Sequence, residues 1–216
     1  MRLPISQRVS QNRSPQHFAE VTETSTTEFL AQCLEPEDLV FPVMPPFGSW
    51  VKSFDEESGN TIFAVVYHVT TNPIDSVHRA RALGLSLQEL REQQPQIFAM
   101  LKTEFKAAIA GFQTGGDATT AVVRQYLPPR PPQIHQAVLC CSTDEIIDFT
   151  NELEFLRTLM QLTNAPTEAL IAATLREVYQ LRRGDRAWLV QAGRMLSLLL
   201  KDDYDRLQLI LSQIHL

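Results

Sequence analysis

Glycine is scarce in this chain, at 8 of 216 residues. Few positions are therefore left for a loop whose backbone amides wrap a phosphate. The nearest approach to one is Gly111-Phe112-Gln113-Thr114-Gly115-Gly116-Asp117-Ala118. Asp117 stands where such a loop needs lysine, and Ala118 where it needs a magnesium-binding hydroxyl. An anion there repels phosphate, so Gly111–Gly116 reads as a hairpin turn. Cysteine is scarcer, at Cys33, Cys140 and Cys141. Three thiols, two of them adjacent, do not make a secreted disulfide framework. Cys140 and Cys141 read as small residues of a buried strand, with a redox pair as the alternative. No apolar run approaches the roughly 20 residues of a membrane span. A basic excess is also lacking: 19 Lys+Arg face 25 Asp+Glu, a net charge of -6. That balance speaks against a protein that coats nucleic acid.

Metal and nucleophile patterns are missing as well. Of His17, His68, His78, His135 and His215, no two share the i, i+4 spacing of a helical metal pair. His68 lies in a strand that reads as buried, which suits a hydrogen-bonded structural histidine. There is no G-x-S-x-G nucleophile elbow. A thiol/imidazole pair of His135 with Cys140 spans five residues of extended chain, about 16 Å. The acidic groups Glu35-Glu37-Asp38, Asp55-Glu56-Glu57 and Asp202-Asp203-Asp205 fall in loops or caps and read as solvated turns. No catalytic, cofactor-binding or metal-binding residue is assigned, and the chain is read as a non-enzyme.

What remains is enough for a core, since 44% of the residues are hydrophobic. Of the 13 prolines, all but Pro166 precede Cys140. Proline suits turns and strand edges but breaks helix interiors. The first two-thirds therefore reads as strands and loops, the last third as helices. Residues 1–148 also hold the charge imbalance, with 11 Lys+Arg and 17 Asp+Glu, against 8 and 8 beyond. The basic, polar start MRLPISQRVSQNRSPQHF has no apolar h-region, so 1–14 reads as a disordered tail rather than a secretory leader.

Strands are expected at 17–24 and 27–33, then as a hairpin of 49–54 and 61–70 around Asp55–Asn60. TIFAVVYHVT (61–70) is almost continuously apolar, as in a strand buried on both faces. Ser86-Leu87-Gln88-Glu89 has capping-box spacing and opens a helix to about Gln93, before Pro95. Residues 101–112 fit helix or strand. Further strands are expected at 120–126 and 137–141. The tract Tyr126–Pro132 reads as a rigid connector, with a polyproline ligand as the alternative. A second capping box at Ser142–Glu145 should start a helix running from Thr143 to about Leu162. Helices follow at 166–183, closed by Gly184 at C′; at 186–200, capped by Asp185; and at 203–214.

The order of pieces resembles the HAS-barrel (HerA–ATP synthase barrel) family. His17-Phe18-Ala19-Glu20-Val21-Thr22-Glu23-Thr24-Ser25-Thr26-Thr27-Glu28-Phe29 looks like its opening strand and turn. Gly48-Ser49-Trp50-Val51 matches its Gly-Asp-Tyr-Val-like step. Gly59-Asn60-Thr61-Ile62-Phe63-Ala64-Val65-Val66 matches the following turn and strand, with Ala64 where the family has glycine. Ala107–Gly111, Pro128–Pro132 and Val138 look like the closing strands. The resemblance covers about 15–148 and extends to stand-alone, cyanobacterial-type members. It implies a barrel that assembles ATPase rings and docks accessory subunits. It carries no ATP turnover here, since the P-loop is missing.

The expected fold is α+β: a small antiparallel β-barrel over 15–148 with a helical insertion at about 76–100, then an α-helical domain over 149–216. The expected function is a non-enzymatic assembly or docking module, cytoplasmic, with a protein partner such as an ATPase or its accessory subunit. The alternative is a nucleic-acid-associated factor of DNA processing or repair. Leu153, Leu156, Leu159 and Met160 should share one apolar seam with Leu196, Leu199 and Leu200. Helices 166–183 and 186–200 carry more apolar surface than a short bundle hides. Trp188 is therefore singled out as a possible partner-docking residue.

Overall fold

A computed structural model describes residues 16–35, 44–74, 82–115 and 121–214. Residues 1–15, which include the expected tail at 1–14, and residues 36–43, 75–81, 116–120 and 215–216 lie outside the described residues. Six strands close an antiparallel barrel in the order β2 (Glu28–Cys33), β1 (His17–Thr24), β7 (Ala137–Cys140), β3 (Trp50–Asp55), β4 (Asn60–Pro73), β5 (Leu101–Gln113), with β5 returning to β2. A two-residue strand, β6 (Val123–Arg124), lies outside the barrel on the end of β5. Closure pairs the strand edges that an open sheet of this size would leave bare. Alternation fills the interior with Val21, Phe29, Val51, Ile62, Val66, Phe105, Ile109 and Val138, all buried.

The β1–β2 turn is held by Ser25, whose N–H and hydroxyl both donate to the Glu28 carbonyl at 2.9 Å. The β3–β4 turn is built on Asp55. This residue is only 1% exposed and accepts from the Ser58 hydroxyl at 2.5 Å. The first carboxylate of that acidic group is thus a turn organiser rather than a solvated charge. Residues 101–112, open between helix and strand, are strand. Pairing with both β4 and β2 outweighs the helix propensity of Lys106-Ala107-Ala108-Ile109-Ala110. Strand geometry continues through Gly111 to Gln113, which corrects the reading of Gly111 as the start of a turn. A Cβ on Gly111 would sit 2.3 Å from the Arg124 carbonyl oxygen. The chain therefore needs glycine there for β6 to approach.

In the insertion, α1 (Leu87–Gln93) starts with both capping-box bonds between Ser86 and Glu89 in place. A 3-10 helix, Pro95–Met100, leads into β5. After the barrel come α2 (Thr143–Phe149), α3 (Phe155–Met160), α4 (Thr167–Leu181), α5 (Arg186–Leu199) and α6 (Tyr204–Gln213). The expected single helix from 143 to 162 is two, broken over 150–154. Helix α4 ends at Leu181, two residues earlier than expected, and its C′ position moves from Gly184 to Arg183. Arg183, at φ 54°, takes the left-handed C′ position, and the Gly184 N–H reaches back to the Tyr179 carbonyl at 2.9 Å. Asp185 caps α5 by accepting from the Ala187 and Trp188 amides.

The helices do not form a separate core. The outward face of the barrel (Trp50, Phe63, Val65, Tyr67, Ala108, Ala110) joins Phe149, Phe155, Leu156, Leu170, Leu175 and Leu196 in one buried cluster. The expected seam of Leu153, Leu156, Leu159, Leu196 and Leu200 belongs to it, with Met160 and Leu199 packed against it. β4 is buried on both faces from Ile62 to Tyr67, where barrel interior and helices flank it; from His68 onward it is exposed or half-buried, so the two-sided burial expected for 61–70 covers only its first part. Small residues permit the contact. Ala108 and Ala110 stand under the helices, and a Cβ on Gly48 (φ 88°) would meet that of Ala173 at 2.8 Å.

Candidate docking site

The seam between barrel and helices gathers most of the polar chemistry. Trp50 packs its ring between Phe149 and Phe155, at centroid distances of 5.3 and 5.4 Å. Lys52 on β3 pairs with Glu145 in the first turn of α2. Burial opposes a charge on Glu145. The Lys52 ammonium and the Ser142 N–H outweigh it and hold the carboxyl below the usual range. The structure therefore uses the Ser142 capping box both to start α2 and to tie it to the barrel.

Gln125, just after β6, spans the α2–α3 break. Its amide donates to the Phe149 and Glu152 carbonyls, and its side-chain oxygen accepts from the Phe155 N–H at 2.9 Å. One side chain thus satisfies the end of one helix and the start of the next. Arg182 completes the joint. Its guanidinium donates to the Ile147 carbonyl at 2.6 Å, to Thr150 Oγ1 at 3.1 Å and to Asn151 Oδ1 at 3.0 Å. It also lies 5.1 Å from the Trp188 ring centroid.

Trp188, singled out from the sequence as a docking residue, is 4% exposed. Its indole N–H donates to the Thr150 carbonyl at 2.8 Å. The ring presents almost no surface in the free chain. The exposed apolar residues of this region lie elsewhere on the last two helices. Val190 and Leu198 stand out from α5, and Tyr204, Leu209 and Leu211 from α6. The last three share a shallow surface depression with Asp205, Gln208 and Ser212.

The candidates for chemistry do not converge. Among the described residues no group of three His, Cys, Asp or Glu side chains is placed to hold a metal. Cys33 is buried, and burial pushes its thiol up to about 12. Cys140 is exposed, contrary to its reading as part of a buried strand, and Cys141 is half-buried. Burial raises both thiols, away from the thiolate a nucleophile needs. His68 is exposed on the outer side of β4, next to an irregularity in the β4–β5 register. The Tyr126–Pro132 tract links β6 to β7 with Pro128 and Pro132 buried, and Arg130 pairs with Glu57.

One titratable group is out of balance. Glu177 on α4 is half-buried, and burial pushes its carboxyl from 4.5 up to about 7. The folded chain then binds this proton more tightly than the unfolded chain. Stability should fall as pH rises from about 4.5 to about 7 and level off above. Glu177→Gln should raise stability at pH 8 by about 1 kcal/mol, partial exposure to water keeping the gain below the full linkage value. At pH 4 the two chains should unfold at nearly the same urea concentration. An equal gain at both pH values would show that the carboxyl is not the cause.

Residues 18–117 match the family model of the HAS barrel domain. No curated protein matches the chain. The match spans β1 to the end of β5, which is the part of the barrel that the sequence resemblance rests on most. No helix among the described residues is long and apolar enough to cross a membrane.

Proposed function

The chain carries a HAS barrel domain, and from that premise we propose that it is a non-enzymatic docking module of a larger assembly. HAS barrels are modules of ATPase-associated and DNA-related proteins, and in ATPase systems they mediate protein interactions. The observation that carries the proposal is the outer face of α6. Tyr204 (66% exposed), Leu209 (48%) and Leu211 (45%) lie along one shallow depression, while the inner face of the same helix buries Leu207 and Ile210. The helix is anchored by its inner side and keeps an apolar outer side, the arrangement of a surface held ready for a partner. The partner class favoured is an ATPase or its accessory subunit.

The double substitution Leu209→Glu/Leu211→Glu tests this. Both side chains are exposed, so the variant should melt within a few degrees of the parent chain. Affinity capture of the tagged full chain from its native cells, with and without nuclease, should recover protein partners. These should persist after nuclease treatment and be lost with the double variant. Partners retained by the variant would overturn the α6 assignment. Partners lost on nuclease treatment would favour the nucleic-acid reading instead.

A further inference from the structure

A pocket of about 160 Å³ opens where the β2 and β4 walls of the barrel meet the α3–α4 connection. Its size excludes a nucleotide or a drug-sized ligand, whose sites begin at about 300 Å³. It suits one side chain or a fragment of similar bulk. Glu28 and Tyr67 line it from the barrel. The Tyr67 hydroxyl donates to Glu28 Oε2 at 2.6 Å, so its proton is already committed and its oxygen offers a lone pair. Thr158 and Asn164 also line it with polar groups able to accept, and Leu127 and Leu162 add apolar wall.

The chemistry of the guest follows from what each class would meet. An anion would face the Glu28 carboxylate. A wholly apolar guest would strip water from that carboxylate without replacing its hydrogen bonds. A cation on a short alkyl stem satisfies both parts, with donors for the lining oxygens and methylenes for the leucines. Lys106 shows that the carboxylate accepts such a neighbour, since its ammonium lies 3.6 Å from Glu28 Oε1. Lys106 is not among the lining residues and is partly exposed. The pocket itself is thus left to another cation.

We propose that this pocket receives the ammonium or guanidinium head of a Lys or Arg side chain presented by a docking partner. The inference rests on the docking reading and gives that reading a specific recognition element.

The test uses the isotope-labelled full chain and small probes, butylammonium and butylguanidinium, with butyrate and butanol as controls. Amide signals of Thr27, Glu28 and the 161–165 segment should shift saturably with the cations, with Kd on the order of millimolar for so small a fragment. Glu28→Gln should weaken binding about tenfold or more, and Lys106→Gln, which removes the competing ammonium, should strengthen it. Asn164→Trp, at an exposed lining residue, should fill the pocket while leaving Glu28 in place, and it serves if Glu28→Gln fails to fold. Absence of saturable shifts, equal binding of butyrate or butanol, or parent-like binding by folded Glu28→Gln or Asn164→Trp would overturn the proposal. The two readings separate in capture experiments. A partner lost with the α6 variant but kept by Glu28→Gln would leave docking standing and remove the pocket from it.

Discussion

Trp188→Glu should leave the chain without a stable native fold. The ring is 4% exposed, its N–H is bonded to the Thr150 carbonyl, and Arg182 lies over its face. Removing a buried indole costs about 3–5 kcal/mol in packing alone. The carboxylate that replaces it enters an apolar cluster and leaves the Thr150 carbonyl without its donor. Arg182, the cation over the ring, is already engaged with three acceptors of the α2–α3 joint. The sum approaches the whole stability of a domain, about 5–15 kcal/mol. Near-UV circular dichroism and urea unfolding should show lost tertiary packing. Trp188→Phe should fold and lose about 2 kcal/mol, through the missing hydrogen bond and the smaller ring. A Trp188→Glu chain that folds like the parent and has lost only a partner would return Trp188 to the docking role first suggested by its sequence.

Trp188 marks the boundary of what the sequence could say. Its apolar character was legible, but the direction in which it points depends on how α5 lies against Thr150 and Arg182, which no local pattern records. Signals confined to a few residues are legible in the sequence. Ser86–Glu89 and Ser142–Glu145 each hold a capping box, because both partners sit within one turn. The hairpin around Asp55–Asn60 and the two-sided burial of Ile62–Tyr67 follow from turn residues and an unbroken apolar run. β5 was ambiguous because its alanines favour helix locally and are strand only through β2 and β4, each more than 30 residues away. The shift of the α4 stop from Gly184 to Arg183 is smaller but of the same kind. Composition nominates the glycine, whereas the last helical hydrogen bonds decide the register. The candidate pocket is not legible in the sequence for a related reason. Thr27 and Glu28, Tyr67, Ile109, Leu127 and the 158–165 segment come from five separate stretches, which only the closed barrel and the packed helices bring together.

The α2–α3 break gives the second large expected effect. By its own residues 143–162 reads as one amphipathic helix, and two helices are stable here because Gln125 supplies three hydrogen bonds from outside. Gln125→Leu keeps the bulk and removes all three. The Phe149 and Glu152 carbonyls and the Phe155 N–H would then lose their side-chain partner at the edge of the buried cluster. At about 1 kcal/mol for each bond, and more for a group left without water, the loss should be about 2–4 kcal/mol. Gln125→Glu separates geometry from charge. It keeps an acceptor for the Phe155 N–H but turns a carboxylate toward two carbonyls, so it should be nearly as destabilising at pH 7 and recover part of the loss in acid. Urea unfolding of the three chains at pH 7 and pH 4.5 provides the measurement. A Gln125→Leu chain within about 0.5 kcal/mol of the parent would mean that water replaces the amide at the joint. The break would then have to be set by the packing of Leu153 and Phe155 against Trp50 and its neighbours instead.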